Sequence, residues 1–164
     1  IDALDRKVIA IFLPQKGLTA RATDGAKLVE IDLRAGSVTK TLSLGSQFAH
    51  AAAFSPDGTR LALSRGKKIA VMDTDRGHVT TEIETDHTIN WILEFSPDGR
   101  RIASGGRGEV EVWDAETGNP VIEFDLGGVL YVQSLAISPD GKMLAAIPSS
   151  SGQTLQVFRL PPND

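Results

Sequence analysis

The sequence predicts an all-β protein built of four repeated units. The phrase FSPDG spans Phe54–Gly58 and recurs at Phe95–Gly99, and ISPDG follows at Ile137–Gly141. The closing glycines are 41 and 42 residues apart, and LPQKG, which ends at Gly17, is a degenerate fourth copy. A second motif, Asp-x-x-x-Gly, repeats at the same spacing. The apolar stretches around both motifs are short and have no sustained helical period, which indicates strands.

Each SPDG phrase is predicted to be a type I turn that joins the first two strands of a unit. Ser suits the first position, Pro presets φ at the second, Asp bonds locally at the third, and Gly accepts a positive φ at the fourth. Apolar stretches such as WILEF precede the turn, and stretches such as RIASG follow it. The structural turn residues predicted in this way are Asp57, Gly58, Asp98, Gly99, Asp140 and Gly141.

The Asp-x-x-x-Gly motif predicts a tight connection between a third and a fourth strand. It reads DLRAG from Asp32, DTDRG from Asp73 and DAETG from Asp114. The fourth unit departs from this pattern because TLQVFRL is followed by PPND, and prolines do not build a ladder strand. The last unit is therefore predicted to lack an outer strand of its own.

Four strands per unit at this period are typical of the blades of a β-propeller. Propellers usually have about 4 to 8 blades, so four units leave three alternatives open. The chain is part of a larger ring, half of a ring completed by a second copy, or a ring of four blades. The predicted blade units cover residues 6–45, 46–86, 87–127 and 128–164.

The segment Asp86–Phe124 resembles a WD40 repeat over its whole length. It has His87 at the end of the preceding loop, the FSPDG turn, IASGG in the second strand, and the WD dipeptide that begins at Trp113. The family's hydrogen-bonded structural tetrad then implies His87, Ser104 and Trp113 as members. The tetrad Asp is missing, because the sequence offers Arg107 in that neighbourhood. Residues 54–77 are also similar to the PD40 repeats of TolB-type propellers.

Composition excludes several classes of function. The net charge is −4, with 17 basic and 21 acidic residues, so the excess of cationic side chains that nucleic-acid binding needs is absent. No run of apolar residues is long enough for a transmembrane helix. The absence of Cys excludes disulfides and leaves the compartment undetermined. A cytoplasmic location is preferred, and a TolB-like component would be periplasmic.

Motifs for catalysis and for cofactors are not found in the sequence. It has no P-loop, no His-Glu-x-x-His and no Gly-x-Ser-x-Gly. The three histidines occupy different offsets within their repeats, so they do not predict a ring of metal ligands. The chain is therefore predicted to be non-catalytic, with neither a cofactor nor a metal.

The predicted function is a platform for protein–protein interaction. Aromatic and arginine side chains dominate protein interfaces, and loops at one end of the blades carry several of them. A competing interpretation has Trp91 and Tyr131 filling gaps between blades. The alternative functions are an accessory propeller of a larger enzyme or signalling protein, a TolB-like envelope component, and a propeller-type hydrolase or lactonase. The candidate partner-binding residues are Arg65, His87, Trp91, Arg107 and Tyr131.

Overall fold

The regular structure of the protein is entirely β in the residues that a computed structural model describes, namely 8–14, 19–45, 49–86, 92–127, 131–149 and 154–162. Strands in these ranges form four separate antiparallel sheets that follow one another along the chain. Within the same ranges, no helix is long and apolar enough to cross a membrane. The predicted all-β fold is confirmed.

Each sheet lies within the range predicted for one blade, and its strands are neighbours in sequence order. The first sheet contains strands β1 to β4, at Ala10–Phe12, Thr19–Thr23, Lys27–Asp32 and Ser37–Ser43. The second contains β5 to β8, at Ala51–Phe54, Arg60–Arg65, Lys68–Asp73 and Val79–Glu84. The third contains β9 to β12, at Ile92–Phe95, Arg101–Gly105, Glu109–Asp114 and Pro120–Asp125. The fourth has three described strands, β13 to β15, at Val132–Ile137, Met143–Pro148 and Gln156–Arg159.

The SPDG phrase forms the same turn in the second, third and fourth sheets. In the second sheet, the Gly58 amide donates to the Ser55 carbonyl at 2.8 Å. Ser55 Oγ donates to the Asp57 carboxylate at 2.6 Å and accepts from the Arg60 amide at 2.9 Å. The same serine–aspartate bond is 2.6 Å long in the turns of Asp98 and Asp140. The closing glycines have φ angles of 71°, 71° and 70° at Gly58, Gly99 and Gly141.

The aspartates of these turns and of the Asp-x-x-x-Gly loops are bound to their own local backbone. A hydrogen bond from Ser138 holds the pKa of Asp140 below its ordinary value. The backbone amide of Thr117 does the same for the pKa of Asp114. Burial acts to raise the pKa of Asp57, but hydrogen bonds from neighbouring residues outweigh it and lower the pKa. Each carboxylate is thus used to stabilise a turn.

The hydrophobic core lies between the sheets, in three separate clusters. The first cluster joins the first and second sheets, with Leu28 on one side and Leu61 on the other. The second joins Val71 of the second sheet to Ile102 of the third. The third joins the third and fourth sheets through residues such as Val112, and the rings of Phe124 and Phe158 stack there at 4.4 Å. The stability of each blade therefore depends on its neighbour, as expected for a repeat architecture.

Arginine side chains hold successive sheets together on one side of this core. Arg21 donates from the first sheet to the Gly58 carbonyl of the second at 2.7 Å. Arg60 donates from the second sheet to the Gly99 carbonyl of the third at 2.6 Å. Both acceptors belong to SPDG turns, so the turn glycine of one blade is an anchor for the blade before it.

Arg101, the repeat equivalent of Arg60, binds the segment that follows the last strand instead. Its side chain is buried and donates to the carbonyls of Pro161 and Pro162 at 2.7 and 2.8 Å. Replacing Arg101 by Ala is expected to lower the free energy of unfolding by about 2 to 3 kcal/mol, because two charge-assisted hydrogen bonds made by a buried guanidinium are lost. Urea denaturation measures this loss.

Arg100 provides the control for this prediction because its side chain is exposed and adjacent in sequence. Arg100→Ala is expected to change the stability by less than about 0.5 kcal/mol, as for most surface substitutions. Equal losses in the two variants would contradict the assignment of Arg101 as the residue that secures the Pro161–Pro162 segment.

The four sheets form an open arc. The inner strands contact one another in the order β1, β5, β9, β13, and among the described residues the fourth sheet does not pack against the first. The side chains of Leu155 and Val157 are more than half exposed, although their equivalents in the third sheet, Val110 and Val112, are fully buried. This exposed apolar face is the face against which the earlier sheets pack the next blade. A homodimer that completes the ring stays a prediction.

Candidate functional site

A concave surface lies along the inner strands of the first three sheets. It is a cavity of about 530 Å³ lined by β1, β5 and β9 together with the adjoining SPDG turns. These strands run side by side, since each is the first strand of its blade. The repeat therefore brings three short segments, each about 41 residues from the next, around one cavity.

Most of the residues that line this cavity have apolar side chains. Ile11 and Leu13 are 63 and 65% exposed, which is high for large aliphatic residues. The rings of Phe12 and Phe54 lie 6.0 Å apart at a tilted angle of 45°. Exposed apolar side chains next to polar groups are common in binding pockets.

Glu94 introduces a charge among these apolar residues. It lies on β9, opposite Ala103 of the neighbouring strand, and its side chain is half-buried. Burial raises the pKa of Glu94 above its ordinary value. Within the described part of the chain, its carboxylate has no hydrogen-bond or ion-pair partner.

A second cavity of about 460 Å³ adjoins the other end of the same strands. It is lined by Val8, Ile9, Ala51 and Ile92 among others, with His50 as the polar contribution. The inner strands thus carry a concave surface at both of their ends.

The predicted partner-binding residues that the structure describes lie away from both cavities. Arg65 is the last residue of β6, and its guanidinium donates to the carbonyls of Gly25 and Leu44 at 2.9 and 2.8 Å. It therefore joins the second blade to the first, and burial lowers its pKa. Arg107 and Tyr131 are exposed in the turn before β11 and in the segment before β13, respectively. Their role in partner binding stays a prediction.

Two residues of the predicted tetrad meet on the face of the third sheet that packs against the second sheet. The Trp113 Nε1 atom donates to Ser104 Oγ at 2.9 Å, and both side chains are buried. The predictions for His87 and Trp91 lie outside the described residues. The equivalent positions of the fourth sheet hold Ala146 and Phe158, which make no such bond.

Sequence reasoning missed the residues that line the central cavity. WILEF follows the pattern of the other short apolar stretches, although Glu94 within it is the single charged residue in the four inner strands. A charged residue within an otherwise apolar strand is the signal in the sequence that could have identified Glu94. In the described residues, no group of three or more His, Asp or Glu side chains is arranged to hold a metal ion.

The fold and the site define the class of protein: successive antiparallel blades arranged around a central concave surface are a segment of a β-propeller. The model of the family "WD domain, G-beta repeat" matches residues 66–114. This match begins in the second blade and ends with the third strand of the third blade, so this part of the chain is similar to a WD40 repeat.

The structure also resembles hydrazine synthase from Kuenenia stuttgartiensis, with a TM-score of 0.75 and 22% sequence identity. The similarity covers 97% of this chain and 49% of that chain, so the chain spans about half of the length of this relative. At this identity the likeness shows the fold alone. The architecture is shared with 1319 solved chains, which makes it a poor guide to function by itself. The comparison with curated protein sequences gave no match.

Proposed function

We propose that the chain is a non-catalytic interaction platform that binds an extended segment of a partner protein in the cavity of the inner strands. The observation that carries this proposal is the exposure of Ile11 and Leu13 at a concave site of about 530 Å³. Exposed aliphatic side chains in a cavity provide apolar area that a partner buries. The rigid strands beneath them lower the entropic cost of association.

Selection of displayed random peptides against the purified chain tests this proposal. The peptides obtained are expected to bind the double variant Ile11→Asp/Leu13→Asp about tenfold more weakly, because the apolar contact is replaced by two solvated charges. The control is Val79→Asp, which alters an exposed apolar residue on the outer strand β8 and is expected to leave affinity unchanged.

Equal binding to the parent chain and to the double variant would exclude the central cavity as the binding site. The variants Arg107→Ala and Tyr131→Ala, measured with the same peptides, then test the loops at the ends of the blades. A loss of affinity confined to these two variants would move the site to that surface.

A second candidate function is that of an accessory propeller within a larger enzyme. The similarity to about half of a chain named hydrazine synthase favours it, since that protein carries the architecture as part of a longer chain. Under this alternative the cavity contacts another part of the same assembly, and peptides selected at random would show no preference for Ile11 and Leu13.

A further inference from the structure

Glu94 occupies a position at which the repeat otherwise places uncharged side chains. The equivalent residues of the other inner strands are Phe12, Ala53 and Ala136, each opposite the corresponding residue of the adjacent strand. The inner strands read AIF, AAAF, ILEF and VQSLAI, so β9 is the one of the four that carries a charge. This charge is therefore a local addition to the repeat and does not help to form the strand.

Within the part of the chain that the structure describes, no partner compensates the burial of this carboxylate. Among the described residues, no hydrogen bond or ion pair reaches Glu94, and desolvation is the sole cause of its raised pKa. The aspartates of the turns differ in this respect, because hydrogen bonds within the turn satisfy each of them. An unpaired carboxylate that is partly removed from water opposes folding, so Glu94 is a group that an external cation would satisfy.

The surroundings of Glu94 select among cations. The same cavity is lined by Ile11, Leu13 and Phe54, which suit the methylene stem of a long side chain. A guanidinium pairs with one carboxylate through two parallel hydrogen bonds and also stacks on aromatic rings. The protein already contains one such contact, since the Arg60 guanidinium lies 5.5 Å from the centre of the Phe95 ring.

We propose that the cavity recognises an arginine side chain of the partner segment, with its guanidinium paired to Glu94 and its apolar neighbours against Ile11 and Leu13. This inference rests on the proposed function and specifies its ligand. The partner is thereby defined as an extended peptide in which arginine is flanked by aliphatic residues.

Isothermal titration with three synthetic peptides tests the inference. The first is acetyl-Gly-Leu-Arg-Leu-Gly-amide, and in the others norleucine or lysine replaces arginine. The arginine peptide is expected to bind the parent chain about tenfold more tightly than the norleucine peptide. Lysine is expected to be intermediate, because it makes a point contact with one carboxylate.

The variant Glu94→Gln isolates the charge. It is expected to lower the affinity for the arginine peptide about tenfold and to leave the affinity for the norleucine peptide unchanged. Glu123→Gln is the matched control, since Glu123 is exposed on the outer strand β12. The urea midpoint of Glu94→Gln is expected to rise at neutral pH, because an uncompensated charge is removed. A lower midpoint would show that Glu94 has a structural partner and would overturn the inference.

The outcomes separate this inference from the function on which it rests. If the arginine and norleucine peptides bind equally, and Glu94→Gln changes neither, apolar recognition in the cavity stands and recognition of arginine is wrong. If none of the three peptides binds the parent chain at about 1 mM, both proposals are wrong for this class of ligand.

Discussion

Replacing Gly58 by Ala is expected to lower the free energy of unfolding by about 2 to 4 kcal/mol, through backbone strain and overpacking together. Gly58 closes an SPDG turn with a φ of 71°, a conformation that disfavours any residue with a Cβ atom. A Cβ at this position would also lie 2.3 Å from the Phe12 ring of the preceding blade. Urea denaturation of the variant measures the loss.

Gly141 is an unusually close control for Gly58. It closes the same turn in the fourth blade, with a φ of 70°, but a Cβ there would meet no atom within 4 Å. Gly141→Ala is therefore expected to cost about 1 to 2 kcal/mol, from backbone strain alone. The pair Phe12→Ala/Gly58→Ala should be less destabilised than the sum of its single variants, since the ring that clashes is removed. Equal losses at Gly58 and Gly141 would show that contact between blades adds nothing at this turn.

Replacing Trp113 by Ala is expected to cost about 3 to 5 kcal/mol, the usual range for removing a buried aromatic side chain. Trp113 belongs to the cluster between the second and third sheets, so its loss opens a cavity between two blades. Ser104→Ala alone is expected to cost about 1 to 2 kcal/mol, because the indole N–H loses its buried acceptor. Both losses can be measured by urea denaturation followed by circular dichroism.

The fourth blade shows which pair of residues replaces Ser104 and Trp113 without the hydrogen bond. It holds Ala146 and Phe158 at the positions of Ser104 and Trp113. The double variant Ser104→Ala/Trp113→Phe reproduces that pair. Its loss of stability is expected to be smaller than the sum of the losses measured for Ser104→Ala and Trp113→Phe alone, because Phe has no N–H group that needs the Ser104 hydroxyl. If the loss of stability of the double variant equals the sum of the two single losses, the hydrogen bond does not determine the cost of Ser104→Ala.

Local motifs made the blades predictable. The SPDG phrase specifies its turn within a few residues. The serine and the aspartate form a hydrogen bond with each other, and the glycine adopts the positive φ that the turn requires. The short strands on either side follow from the same turns and from the lack of helical period. The turns and the short strands therefore do not depend on which residues pack against the sheet.

The candidate site was less predictable, since its properties arise between blades. Arg65 was expected in a loop that meets a partner, but it ends β6 and binds carbonyls of the first blade. Glu94 gave a signal in the sequence, yet the absence of a partner for it among the described residues depends on how the inner strands are placed side by side. In both cases the deciding neighbours are distant in sequence.

The sequence by itself determined the repeat, the positions of the turns and the all-β class, because each depends on conformational preferences within a few residues. Only the tertiary structure decided which arginines join blades, which apolar faces stay open, and that Glu94 lines a shared cavity. Arg21 and Gly58 are 37 residues apart, and Arg101 and Pro161 are 60 apart. Contacts at such separations depend on the packing of one complete sheet against the next, and no local pattern encodes that packing.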